Sequence, residues 1–465
     1  MKKHRYSNVD RIDRILNNLR SPITIKGRPP VRWTLSERME HYRVPGVSVA
    51  IIDDWKIIWS GGFGVKKAGT TDPVEVSTLF QAASISKPIT ATAILNLVDN
   101  GKLSLDEDVN TYLSSWKIPE NNYTTQEKVT LRRILSHSAG LTVHGFPGYG
   151  PGQSIPDLQQ ILDGQPPVNT SAIRVDTLPG SQWRYSGGGF TVIQQLLLDI
   201  INSSFPLIMK QLILERANMS LSTFEQPLPN SRCQEAASGH DAKGELIEGN
   251  WHIYPEMAAA GLWTTSTELA QWALEITNAW NGRTSKLLSK SMAKQMMTSQ
   301  KPPSGLGIFL EGTDEVINFS HGGGNEGFRS HFYMFPALGK GAVMMTNADI
   351  GDILIGEVLP SIAAEYRWPG HTQSERGVVK LETSQLISMV GIYTVLNLPV
   401  ELSFEISQQD DRLFVEDKYI PLIYEIYATG IDEFISPNGQ TILFIRDNLR
   451  QVTKMNMAEL EAIRQ

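Results

Sequence analysis

A single cysteine, Cys233, occurs in 465 residues. One thiol closes no intramolecular disulfide and completes no cysteine-based zinc site, so the fold is expected to stand without oxidation. Cys233 itself reads as a small, buried or half-buried side chain. An excess of positive charge is also missing: 42 Lys and Arg against 49 Asp and Glu leave a formal net charge of −7. Phosphate backbones are neutralised by basic surfaces, so no nucleic-acid partner is expected. No uninterrupted apolar run approaches the roughly 20 residues that span a bilayer. The basic start Met1-Lys2-Lys3-His4-Arg5 lacks the apolar core of a secretory leader. Instead Val9, Ile12, Ile15, Leu16 and Leu19 recur at helical spacing among charges, an amphipathic opening helix. A cytoplasmic protein is the expectation, although a processed chain that had shed a leader would read the same way.

What is present fits a globular protein, with 41% hydrophobic and 20% charged residues. The length exceeds one ordinary core and predicts two domains. Val47–Ile52 and Trp55–Ser60 flank a short Asp53-Asp54 turn, a hairpin signal. A helical stretch runs from about Ser84 to Asn100, with Gly101 as its C-cap, and another covers 189–202. Residues 102–180 mix short helices with Gly- and Pro-rich loops. Strand signals return in Gly305–Leu310, His331–Phe335 and Gly341–Thr346. Strands at both ends of a segment with helices between predict one antiparallel sheet closed by both, an α+β sandwich. Around Pro369–Gly377 the chain turns polar and rich in turn residues, a candidate linker. Beyond it Val400–Ile406 alternates with period two, as do stretches near 412–415 and 441–445. The expected domains are therefore 1–370 and a small antiparallel β domain, 380–465.

Chemistry first suggests itself at Ser84-Ile85-Ser86-Lys87. If Ser84 opens a helix, Lys87 at i+3 lies on the same face and its ammonium reaches the hydroxyl. Pro88 suits a first turn, and the helix N-terminus offers unpaired N–H groups beside a developing oxyanion. The bare S-x-x-K pattern recurs at Ser114–Lys117 and Ser291–Lys294, but only the first copy follows a strand-like segment and enters an apolar helix. Downstream come Tyr185-Ser186-Gly187 and the glycine-rich His321-Gly322-Gly323-Gly324-Asn325-Glu326-Gly327-Phe328. Glycines there permit a positive-φ turn, or a strand edge kept bare for a substrate backbone.

In this order the three segments resemble those of the class C β-lactamase-like (penicillin-binding-protein-like) serine hydrolases, over about residues 35–365. That family includes DD-peptidases, D-aminopeptidases and β-lactamase-fold esterases. Leu135–Leu141, Ala259–Thr265 and Phe335–Asn347 match as well. The resemblance implies a β-lactamase/transpeptidase-like fold with an antiparallel sheet and a helical subdomain, here followed by a lipocalin-like C-terminal domain. It implies Ser84 as nucleophile, Lys87 as its partner, Tyr185 as general base, and His321 beside the leaving group or a substrate carboxylate. The oxyanion hole would be the backbone N–H groups of Ser84 and Gly324, with Gly187, Gly323 and Trp183 lining the substrate site. Chemistry alone leaves the base open: Tyr and Lys both titrate near 10, and one must be depressed to act at neutral pH.

Two departures narrow the expected substrate. Family members often carry Asn where Gly187 stands and Lys where His321 stands, and an imidazole is charged only when protonated. Both changes weaken the anchoring of an acylamino side chain and a carboxylate. They favour an ester, an amide or a D-amino-acid peptide over a β-lactam or a DD-carboxypeptidase substrate; a catalytically silent binding protein on the same fold is the rival of another class. His137 and His144 lie in a loop without an H-E-x-x-H pattern, so His137 reads as a hydrogen-bonded structural residue. No metal or other cofactor is called for. The partner is a small molecule or peptide, and the oligomeric state is not legible.

Overall fold

The computed structural model describes residues 8–313, 316–370, 373–396, 402–418, 420, 422–457 and 460–465. The basic start at 1–5, the side chain of Val9, residues 371–372 of the candidate linker and residues 400–401 of the expected Val400–Ile406 strand lie outside that description. The chain divides into two compact units: Val44–Asp352, and the segment up to Arg43 together with Ile353–Gln465.

Within Val44–Asp352, six antiparallel strands form one sheet in the order Lys56–Gly64, Gly46–Asp53, Lys340–Thr346, Phe328–Phe335, Asn318–Asn325 and Phe309–Glu311. Both ends of the unit supply strands, and the helices between them make this the expected α+β sandwich. Val343 pairs with Ala50 in the middle of the sheet, and Phe332 pairs with His321 further out. The first hairpin turns at Asp54-Trp55, one residue later than expected. Both have positive φ (+53° and +55°), as a two-residue turn matching strand twist requires. The expected strand over 305–310 shortens to Phe309–Glu311. Gly307 is the reason: at φ +80° its backbone leaves the strand region, and a Cβ there would lie 2.2 Å from that of Ala91.

A single 3-10 turn, Ala83–Ile85, leads into the helix Ser86–Asp99. Every residue from Ser86 to Leu97 is buried. Such an all-round apolar helix belongs at the centre of a core. The helices Gly187–Ile201 and Ser266–Trp280 share that core. Among the described residues no single helix is long and apolar enough to cross a membrane. The bent pair Gly187–Ile201 and Phe205–Leu214 matches by length and composition, but its first member is buried from Gly187 to Leu197.

In the other unit eight antiparallel strands, from Gly391–Val395 to Leu460–Arg464, close into a barrel, with Tyr393 paired to Arg464 across the seam. Period-two alternation puts Phe404, Ile406, Leu413, Val415, Ile442 and Phe444 inside, while Ile423, Leu443 and Ile445 face out. The interior is a packed core. The division near residue 352 differs from the expected boundary near 370–380. Charged side chains join the N-terminal segment to residues 353–366 within one unit. Arg38 grips Glu357 at 2.6 and 2.7 Å, Tyr42 donates to the same carboxylate at 2.5 Å, and Arg14 meets Glu365. The N-terminal segment is thereby tied to the helix Gly351–Tyr366. Part of the expected linker, Ser374–Arg376, is itself a strand parallel to Ile23–Ile25.

Candidate active site

The turn that carries Ser84 is held from three sides. Phe80-Gln81 pairs with Trp263-Thr264, and Ala82 N–H donates to Leu262. Ser86 Oγ donates to Ala83 O and accepts from Leu262 N–H, so the first helical turn is tied to that pair. Asn325 Nδ2 reaches Gln81 Oε1 at 2.7 Å and joins the glycine-rich strand to the same turn. Ser84 is the partly exposed residue in an otherwise buried run from Gln81 to Thr90.

Lys87 Nζ lies 2.9 Å from Ser84 Oγ and 2.9 Å from the Ala259 carbonyl oxygen. Its side chain is 2% exposed. Burial penalises the ammonium and brings the Lys87 pKa down to about 7. Tyr185 completes the group: Lys87 Nζ sits 5.0 Å from its ring centre, and the neighbouring Ser84 hydroxyl favours its ionised form. Burial pushes the Tyr185 phenol up, and the Ser84 hydroxyl only partly opposes that. The structure brings together the trio that the family resemblance implied, Ser84 and Lys87 with Tyr185 from a segment about 100 residues away.

His321 joins it from the glycine-rich strand, with rings 6.2 Å from Tyr185 and stacked at 4.8 Å on Phe309. Burial first, then the nearby Lys87 charge, lowers its pKa to about 3. Its Nδ1 faces the Gly322 carbonyl oxygen at 2.6 Å, so Nδ1 carries the proton and the buried Nε2 is an acceptor without a protein partner.

The glycines have distinct places. Asn325 pairs with Phe328 across the two-residue turn and Gly324 with Arg329. Hydrogen-bonded and open pairs alternate along an antiparallel ladder, so the Gly324 N–H points to the outer side. The next strand, Phe309–Glu311, pairs only with Asn318–Ser320 and leaves that side open. Gly323 instead faces the turn that carries Ser84: a Cβ there would lie 2.2 Å from Ala82 O. Gly187 is buried at the start of its helix, where a Cβ would meet Phe146 at 2.9 Å and His144 O at 3.0 Å. Its glycine therefore serves packing, and Phe146 stands where a longer side chain would extend. Trp183 is 36% exposed, with Nε1 donating to Ser304 Oγ and its ring 6.4 Å from Phe309.

The other two S-x-x-K copies are separated by environment. Lys117 donates to the Asn110 and Leu113 carbonyls, and Ser291 and Lys294 are exposed on the short helix Lys290–Met296. Trp263 is fully buried against Trp251 and Phe328 as part of the core. Cys233 is half-buried. Among the described residues no group of three or more His, Cys, Asp or Glu is placed to hold a metal ion.

Several neighbours escaped the sequence reading. Phe309 lay in a stretch read only as a strand. His137 and His144 ring Tyr185 at 4.3 and 4.8 Å, and no spacing rule connects positions 137, 144 and 185. Glu256 precedes the short helix Met257–Ala260, whose Ala259 carbonyl holds Lys87. Both its carboxyl oxygens are buried without a protein partner, and burial raises its pKa to about 8. The folded chain therefore binds the extra proton between about 4.5 and 8, and stability is expected to fall as pH rises through that window. Glu256→Met should flatten that slope and stabilise the protein at pH 9 by about 1–3 kcal/mol, read from urea unfolding at pH 5 and pH 9.

Comparison with known proteins follows this geometry. The Beta-lactamase family model matches residues 31–352. "Protein flp" of Staphylococcus aureus (strain MRSA252) is 22% identical over 343 residues, covering 70% of this chain and 64% of its own length. "Unguisins hydrolase ungD" of Aspergillus violaceofuscus (strain CBS 115571) is 23% identical over 360 residues, covering 67% and 60%. The chain thus spans less than two thirds of the length of these curated relatives. Among solved structures, SurE with D-Leu superposes with a TM-score of 0.57 at 19% identity, covering 93% of this chain and 97% of that one. The last likeness is one of fold: a β-lactamase/transpeptidase-like domain followed by further structure at the C-terminus.

Proposed function

Because the chain belongs to the β-lactamase family, we propose that it is a serine hydrolase that forms an acyl-enzyme at Ser84 and cleaves an ester, amide or D-amino-acid peptide bond. The observation that carries this reading is the 2.9 Å approach of Lys87 Nζ to Ser84 Oγ in a buried setting. With a pKa of about 7, a substantial fraction of Lys87 is neutral at physiological pH. The free amine takes the Ser84 proton as Oγ bonds to the substrate carbonyl carbon. The carbonyl π pair moves onto oxygen, where the N–H groups of Ser84 and Gly324 receive it. Collapse expels the leaving group, which gains the proton from Lys87 through the Tyr185 hydroxyl. Water then attacks the acyl carbon and gives a proton to the same amine; the Oγ–acyl bond breaks, and that proton passes to Ser84 Oγ as the acid leaves.

This assignment differs from the one implied by family resemblance, in which Tyr185 is the base. A phenol pushed upward by burial remains protonated near neutrality, so Tyr185 suits a relay. The substrate class follows from His321 and Gly187. A neutral imidazole offers a hydrogen-bond acceptor and no positive charge. The Gly187 side is walled by Phe146. Both favour substrates without a free carboxylate beside the scissile bond, which sets β-lactams and DD-carboxypeptidase substrates second. One relative is named a hydrolase and one similar structure holds D-Leu; these keep D-amino-acid peptides in the class.

Incubation with a fluorophosphonate, read by intact mass and peptide mapping, is expected to give one adduct, on Ser84. Turnover of neutral p-nitrophenyl esters or D-amino-acid amides should then exceed that of β-lactams. No adduct at Ser84 rejects the reading in favour of a silent binding protein.

A further inference from the structure

His137 touches Tyr185 in a way that its seven-residue spacing from His144 does not suggest. Its carbonyl oxygen accepts from Arg184 N–H at 2.7 Å, and its Nδ1 accepts from Ser186 N–H at 3.2 Å. The residues on both sides of Tyr185 are thus bonded to this one residue. Between those two anchors the imidazole lies against the Tyr185 ring, with centroids 4.3 Å apart and planes 32° from parallel. His137 has φ +54°, a left-handed conformation that His and Asn enter more readily than most residues. It is 3% exposed, and Phe190 lies 5.7 Å behind its ring. The adjacent strap is fixed too: Ser138 O accepts from Gly180 N–H, and Ser186 Oγ donates to Thr142 O.

We infer that His137 is a positioning residue, whose two acceptors and ring face together hold Tyr185 in place beside Lys87 and the Ser84 turn. The inference rests on the acyl-enzyme reading above. An acceptor at Nδ1 requires that nitrogen to be unprotonated, and burial with the nearby Lys87, His321 and His144 keeps the ring neutral. Tyr185 follows a loop and precedes the glycine run Gly187–Gly189, which supplies no side chains to grip it. A small displacement of the Tyr185 hydroxyl would be costly, because misplacement by about 1 Å can cost ~10²-fold in rate.

The test uses the full chain and a neutral p-nitrophenyl ester. His137→Phe keeps a ring and removes the Nδ1 acceptor; it is expected to lower kcat ~10²-fold with KM nearly unchanged. His137→Ala also lacks the Nδ1 acceptor, should the first variant fail to fold. His137→Asn restores an acceptor at the Nδ1 position and tolerates positive φ, so it should recover to within about tenfold of the unaltered protein. In a Tyr185→Phe background the His137→Phe change should cost less than about threefold more, since residues acting as one unit are not additive. A full loss persisting in that background, an Asn variant as slow as Phe, or acceptor-free variants at normal kcat would each overturn the positioning role. Failure of the underlying reading looks different: the unaltered protein would then form no Ser84 adduct.

Discussion

Lys87→Met is expected to lower kcat/KM by at least ~10³-fold and, unusually for an active-site change, to raise the melting temperature. The loss follows from the geometry: no other amine lies within reach of Ser84 Oγ among the contacts of that residue. The gain follows from burial. Lys87 carries a folded pKa of about 7 against an ordinary 10.5, so the unfolded chain binds more protons between those values. Stability from this group therefore rises with pH from about 7 to about 10.5, and the burial penalty is felt in full below 7. Methionine fills similar volume without charge and removes the penalty, so its advantage should be greatest at pH 6 and vanish near pH 10.5. The same titration shapes catalysis. If the free amine is the base, kcat/KM of the unaltered protein rises with pH about a midpoint near 7. Melting curves at pH 6 and 10, with ester hydrolysis from pH 5 to 9, check both parts. A Met variant less stable at pH 6 would contradict the burial argument.

Ser84→Ala should reduce hydrolysis by a comparable ~10³-fold or more and abolish the fluorophosphonate adduct. Residual turnover would come from the N–H groups of Ser84 and Gly324 and from binding, which survive loss of the hydroxyl. The informative comparison is the double variant. Nucleophile and base act in one step, so Ser84→Ala with Lys87→Met should be no slower than the worse single change. Multiplying losses would show that Lys87 works elsewhere. The two residues also part in stability: Ser84→Ala leaves the amine buried, so the melting gain at pH 6 belongs to Lys87→Met alone.

Much of this site was legible before any coordinates. Ser84 and Lys87 stand three residues apart, so a helical turn there brings them together; in the structure the 3-10 turn Ala83–Ile85 runs into the helix that carries Lys87. The glycines at 322–324 suggest a positive-φ turn or a strand edge bare for a substrate backbone; the structure places them in a strand, with Gly323 against Ala82 O of the Ser84 turn. Strands at both ends of the first unit, and period-two alternation after residue 400, follow from local patterns of two and 3.6 residues. These gave the sandwich and a C-terminal antiparallel domain. Barrel closure, Tyr393 onto Arg464, needed pairing across about 70 residues, which alternation does not encode.

The pair seen first, Ser84 and Lys87, shows where sequence stops. Alone it offers a residue type and a spacing, and through them a candidate nucleophile with an amine beside it. Only the tertiary structure decided protonation, because that depends on what surrounds each group rather than on what precedes it. Burial sets Lys87 near 7, holds His321 neutral and keeps the Tyr185 phenol protonated. The base we propose, the loss of a cation at His321 and the role inferred for His137 all rest on desolvation and on contacts between segments distant in the chain.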